Sequence, residues 1–143
     1  MKFLVDTNIL SEPTKPKPNP TVENWIADHE ADFYTSSLVI AELLNGLEKL
    51  QEGGRKRQLA QQIDKLVEKL DGRILSFNLR VAREWVQLQG ELRAKAYVMP
   101  WEDSIIAATA RHHGLTLATH NTADFVNAAV RIFDPFAYAR GAQ

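Results

Sequence analysis

Lys2-Phe-Leu-Val-Asp-Thr-Asn8 is the stretch from which the fold is read. Phe3, Leu4 and Val5 make a short apolar strand, which stops at an acid followed by two residues that favour turns and helix caps. A strand ending on Asp-Thr-Asn delivers a carboxylate to the place where the chain turns away. The meaning of that carboxylate depends on what the rest of the chain builds around it.

Outward from this stretch, strands and helices alternate. Lys15-Pro-Lys-Pro-Asn-Pro20 reads as an exposed loop, because its three prolines lack a donor N–H and restrain their neighbours. Thr21 to Asp28 reads as a short helix with Val22, Trp25 and Ile26 on one side, and Phe33-Tyr-Thr35 as a second strand. Ser36 or Ser37 caps a helix in which Ile40, Leu43, Leu44, Leu47 and Leu50 recur at three- and four-residue spacing. Gly53-Gly54 breaks it, and Leu59, Ile63, Leu66, Val67 and Leu70 mark the next amphipathic helix. Arg73 to Phe77 reads as strand, and Val81, Trp85, Leu88, Leu92 and Ala96 as a helical stripe. Pro100 suits the first turn of a further helix, apolar around most of its circumference from Asp103 to Gly114. Leu115 to Ala118 and Val130 to Phe133 are the last strands. This alternation predicts an α/β fold: a mainly parallel sheet of four to five strands with helices on both faces, formed by residues 1–143 as a single domain. In such folds ligands bind in the crevice outside the carboxyl ends of the strands.

Composition narrows the chemistry. The 143 residues carry 17 Lys plus Arg against 18 Asp plus Glu, which argues against a basic protein that coats nucleic acid. The absence of cysteine excludes disulfides, thiolate zinc sites and a cysteine nucleophile. No apolar stretch approaches the roughly 18 residues of a membrane span, so a soluble, cytoplasmic protein is expected. The four histidines show no zinc spacing, and no P-loop, dinucleotide fingerprint or Gly-x-Ser-x-Gly elbow occurs.

Acids just beyond strand ends remain. Asp6 follows the first strand, Asp103 lies in the first turn of the apolar helix, and Asp124 comes a few residues after the strand ending at Ala118. Carboxylates gathered on one rim repel one another, and a hard divalent ion with oxygen ligands, Mg²⁺ or Mn²⁺, relieves the repulsion. Such ions polarise a phosphodiester and clamp attacking and leaving oxygens. Each acid also has a plainer reading: Asp6 and Asp124 as turn or cap residues, Asp103 as the complement of a helix dipole. Glu42 projects away from the Ile40, Leu43, Leu44 and Leu47 stripe and reads on the wheel as a surface glutamate. Lys15, Lys17 and Arg55-Lys-Arg57 can attract phosphate or simply face solvent.

Four motifs in register carry a resemblance. Leu4-Val-Asp-Thr-Asn-Ile-Leu-Ser11, Ala41-Glu-Leu43, Asp103-Ser-Ile-Ile-Ala-Ala-Thr-Ala110 and Thr119-His-Asn-Thr-Ala-Asp-Phe125 together resemble a PIN-domain protein of the VapC type. These are the ribonuclease toxins of bacterial toxin–antitoxin pairs. Ser11-Glu-Pro13 and the proline-rich loop look closest to the FitB-like branch, whose members pair with a DNA-binding antitoxin. The resemblance implies a PIN-like fold and an acidic quartet of Asp6, Glu42, Asp103 and Asp124 that holds Mg²⁺ or Mn²⁺ and cleaves RNA. It promotes Glu42 from surface residue to metal-site acid. It implies supporting roles for Thr7 and Asn8 beside Asp6, and for Asn121 and Thr122 beside Asp124. It further implies a homodimer and a small VapB-like antitoxin whose C-terminal segment covers the site, with DNA bound only through that partner in a higher-order complex. The alternative within the same branch is a scaffold that acts mainly with its antitoxin in operator binding and autoregulation. The sequence departs from the family pattern at His120, where many relatives carry arginine, and at Asp134-Pro-Phe136, where Asn-Pro-Trp is usual.

Overall fold

The computed structural model describes residues 1–141. In chain order its principal elements are β1 (Phe3–Val5), α1 (Thr7–Leu10), α2 (Pro20–His29), β2 (Phe33–Ser36), α3 (Ser37–Glu48), α4 (Gly54–Lys69), β3 (Ile74–Leu75), α5 (Leu79–Ala94), α6 (Trp101–His113), β4 (Thr116–Ala118) and β5 (Ile132–Phe133). The strands form one parallel sheet of order β3-β2-β1-β4-β5. The chain builds outward from β1 to β3, then crosses back to lay β4 on the other side of β1. The order therefore reverses between β1 and β4, and that switch point opens a crevice beyond their carboxyl ends. Asp6 follows one of these strands and Thr119 the other.

The apolar run at the N-terminus becomes the centre of the molecule. Phe3, Leu4 and Val5 are all buried, as are Thr116, Leu117 and Ala118 beside them. Alternate residues of a strand point to opposite faces, so burial of every position means both faces are covered. On one face Trp25 of α2 meets the edge of Phe3 (5.0 Å, 78°) and stacks on Phe33 (4.8 Å, 27°). Removing that indole would cost about 3–5 kcal/mol by the usual cost of emptying a packed aromatic site.

Side chains set the helix boundaries. Asn19 Oδ1 accepts from the backbone of Thr21 and Val22, Ser36 Oγ from Val39, and Asn78 Oδ1 from Val81. Gly114 takes the left-handed conformation (φ 65°) that ends α6. Pro100 precedes α6 as its cap rather than lying in its first turn. The two edge strands are shorter than the sequence suggests, at two residues each in place of Arg73–Phe77 and Val130–Phe133. Arg73 stands just outside β3: its carbonyl still accepts from Thr35 N (3.0 Å), but its own N–H turns back to the Leu70 carbonyl (2.7 Å), and its guanidinium binds the carbonyls of Glu30, Ala31, Phe33 and Lys69. Glu12, inside a single 3₁₀ turn (Glu12–Thr14), is buried and closes the proline-rich loop by accepting from Lys15 Nζ (2.9 Å) and Asn19 N (3.0 Å).

Candidate active site

Asp6 ends β1 and caps α1: its Oδ1 accepts from Thr7 N at 2.8 Å. Its Oδ2 accepts from Thr119 Oγ1 at 2.8 Å and from Asn8 Nδ2 at 3.2 Å. The Thr119 hydroxyl accepts in turn from Asn8 Nδ2 (3.2 Å) and from Asn121 N (3.1 Å), so its single donor and both lone pairs are used. Asn8 is equally committed, because its Oδ1 accepts from His120 N (3.0 Å). These bonds tie the end of β1 to the end of β4 across 113 residues of sequence and fix the Asp6 carboxylate on the rim.

Glu42 is exposed on α3, as the wheel reading requires, yet it is not idle. Its Oε2 accepts from Thr7 Oγ1 at 3.0 Å, one residue from Asp6. The wheel was right about solvent and wrong about company, because periodicity sees one helix and Thr7 belongs to another element. Asp103, the third residue of α6, is half-buried. Asp124 lies exposed on the 3₁₀ turn Thr122–Phe125, its backbone N donating to the Asn121 carbonyl at 3.1 Å. Asn121 thus supports Asp124 through its main chain, while Thr122 opens the turn.

Electrostatics join what the sequence separates. Burial pushes the Asp103 carboxyl up to about 6, and the charges of Asp6, Asp124, Glu42 and Glu102 push in the same direction. Asp6 is raised by burial, held back by its bonds to Thr119, Thr7 and Asn8, and raised further by Asp124. Glu42 is raised by burial and by Asp6 and Glu102, against the lowering bond from Thr7. Asp103 therefore lies within the field of the other three expected acids. Among the described residues no ion pair neutralises any of the four. Nor do three acidic or imidazole side chains stand close enough to grip an ion as they are placed. Like charges act across several ångströms while ligation needs about 2, so mutual influence and a splayed arrangement are compatible.

The sequence assigns no role to Thr119 or Glu102 and names His120 only as a departure from the family pattern. Thr119, the first residue of the fourth motif, is the hub of the Asp6 network. Glu102 adds a fifth negative charge beside Asp103. His120 stacks on Phe136 (centroids 3.9 Å apart) and places Nδ1 3.1 Å from Asp134 Oδ2, so the two departures from the family pattern pack against each other.

Beside these acids an apolar groove of about 580 Å³ runs between α3, α4 and the start of the proline loop. Thr7 and Glu42 stand among its walls, with Leu10, Leu43, Leu59 and Leu66. Gln62 also lines the groove, and its Oε1 is buried without a hydrogen-bond partner.

Comparison with known proteins places this arrangement. Residues 3–130 match the PIN domain. Toxin FitB of Neisseria gonorrhoeae is 36% identical, with 94% of this chain and 98% of that protein aligned. The VapC ribonuclease Y4jK of Sinorhizobium fredii is 33% identical over 94% of this chain and 97% of its own. The crystal structure of FitAcB from Neisseria gonorrhoeae superposes with a TM-score of 0.89 at 35% identity, covering 95% of this chain and 99% of that one. A FitAB complex bound to an IR36 DNA fragment gives the same score at 32% identity, covering 98% and 99%. Sequence and fold agree, and the chain belongs to the PIN-domain family, beside the FitB and VapC toxins.

Proposed function

We propose that this chain is a metal-dependent endoribonuclease, the toxin of a type II toxin–antitoxin pair, with Asp6, Glu42, Asp103 and Asp124 as its acidic quartet. The observation that carries the reading is that Asp6, Glu42 and Asp103, whose carboxyls are raised by burial and by neighbouring acids, stand near the β1/β4 switch point with Asp124 beside them, and that among the described residues no cation is paired to any of the four. An all-oxygen, multiply negative donor set suits Mg²⁺, with Mn²⁺ as the substitute. When bound, such an ion polarises the phosphodiester and screens the charge that builds on it. The chain's own residues do the rest. Thr119, Asn8 and Thr7 N hold Asp6 ionised and in one rotamer, Thr7 Oγ1 holds Glu42, and Asn121 orients the turn that carries Asp124. Asp103, with its carboxyl near 6, is the group best able to take a proton near neutrality.

RNA is the substrate class, supported by the ribonuclease named among the relatives; a single or looped strand suits an open rim better than the deep groove of an A-form helix. The apolar groove is where a partner segment fits, since a buried acceptor such as Gln62 Oε1 in apolar walls is suited to a backbone N–H. The partner is a small VapB-like antitoxin that binds DNA and whose tail reaches Glu42. The toxin acts as a cytoplasmic homodimer and meets DNA only through that partner. The exposed apolar residues Phe77, Leu79 and Val86 at the start of α5 supply a surface for the second copy.

The test is cleavage of single-stranded RNA with Mg²⁺, with chelator, and by Asp103→Asn. Cleavage is expected in the first case and a loss of at least 100-fold in the other two. Equal rates in all three would overturn the reading and leave the scaffold role, in which the pair with antitoxin binds operator DNA without cutting RNA.

A further inference from the structure

The loop into α6 presents a feature that neither the acids nor the groove explains. Trp101, the first residue of α6, is 58% exposed. Its backbone is firmly held: the Trp101 carbonyl accepts from Ser104 Oγ at 2.6 Å, and that hydroxyl accepts from Trp85 Nε1 at 2.8 Å. Met99 is buried just before it, and Pro100 fixes φ at −52°. The helix that carries Asp103 thus offers, two residues earlier, a large rigid aromatic surface to solvent. The next residues round the same turn are the acids Glu102 and Asp103.

We propose that Trp101 is a substrate-contacting residue: its indole stacks on an unpaired base of the RNA strand whose phosphate lies at Asp103. The proposal rests on the nuclease reading and adds the group that receives a base. Successive residues of a helix turn by about 100°, so Trp101 and Asp103 face different sides of the first turn of α6. A phosphate at Asp103 and a base on Trp101 therefore belong to a strand that passes over the end of the helix. Stacking suits this place because the first turn of α6 carries acids and no basic side chain, and an aromatic face binds any base without needing positive charge. A pinned backbone leaves less freedom to lose on binding. A contact with a second copy of the chain is the competing use of an exposed indole. The centres of protein interfaces are depleted of charge, whereas Trp101 is followed directly by Glu102 and Asp103 in the first turn of α6.

Intrinsic fluorescence reads the contact directly. Trp25 is buried and Trp85 is bonded to Ser104, so Trp101 is the indole open to a ligand. In the Asp103→Asn background with Mg²⁺, where cleavage does not consume the strand, single-stranded oligoadenylate and oligouridylate are titrated in. Trp101→Phe and Trp101→Ala are compared with the Trp101 chain, and folding is checked by circular dichroism. The expected result is strong quenching with Trp101, none in either variant, affinity near parental for Trp101→Phe and about tenfold weaker for Trp101→Ala. In the cleaving background Trp101→Ala raises KM and leaves kcat within about twofold. Unchanged fluorescence and equal affinities would overturn the proposal, and so would sedimentation showing that Trp101→Ala alone turns a dimer into a monomer. Failure of the nuclease reading is distinguishable: RNA then quenches Trp101 although the parental chain cuts nothing.

Discussion

At the scale of single residues the site trades stability for chemistry. The Asp103 carboxyl, raised to about 6 from its ordinary value of 3.8, holds its proton more tightly in the folded chain than in the unfolded one. A group of that kind favours folding at low pH and withdraws the favour as pH climbs, so without metal the folded chain loses stability between about pH 4 and pH 6. Asp103→Asn removes that slope. In chelator, Tm followed by circular dichroism should be higher for Asp103→Asn than for the parent above pH 6, with the gap closing towards pH 4. Added Mg²⁺ should raise the parent's Tm and move the variant's far less. Thr119 makes the opposite contribution, since its hydroxyl lowers the Asp6 pKa and satisfies Asn121 N. Thr119→Val keeps the shape, takes the acceptor away from Asn121 N and leaves Asp6 Oδ2 with Asn8 as its one side-chain donor, which costs about 1–3 kcal/mol in urea denaturation. It should also move the acidic limb of the cleavage profile to higher pH, and Thr119→Ser should restore both.

At the scale of elements, what could be read from sequence follows how local each signal is. The strand at Phe3–Val5, the cap at Ser36, the break at Gly53-Gly54 and the buried helix through Ala107 and Ala108 are written in neighbouring residues. They appear where periodicity puts them, within a residue or two. The edge strands shrink because a two-residue ladder leaves no alternation to detect, and Arg73 is a staple that a pattern search sees only as charge. Asp6, Asp103 and Asp124 stand where strand ends and a helix start suggested. Glu42 needed the family resemblance, since Thr7 Oγ1 comes from an element 35 residues away. Thr119 stands in the fourth motif without a role of its own, because nothing in the neighbouring sequence says that Asp6 lies opposite. The apolar stripes on α3 and α4 were legible, but only the fold shows that part of them lines an open groove. That groove should bind the dye ANS in the partner-free chain. Leu59→Lys, which puts a charge into its wall, should cut the dye signal by more than half, with circular dichroism and cleavage rate unchanged.

At the scale of the whole molecule, the acids are brought together by topology. Residues from the first tenth of the chain meet others from its last fifth, and the sheet that carries them is parallel throughout, so every neighbouring pair of strands requires a crossover. The bond from Thr119 Oγ1 to Asp6 spans 113 residues, and it forms where β4 pairs beside β1. Contacts so distant in sequence are slow to form, because the intervening chain must first be ordered. During synthesis this sets a sequence of events. The first strand emerges early and waits with one side unpaired until the fourth has left the ribosome, and the two-residue β5 closes the sheet last. A nascent or prematurely terminated chain can carry Asp6 and Glu42 and still lack the strand that holds Asp6 in place. On the proposed function, RNA cleavage is therefore expected only once β4 has been made, and a fragment that ends before Thr116 is expected to cut none.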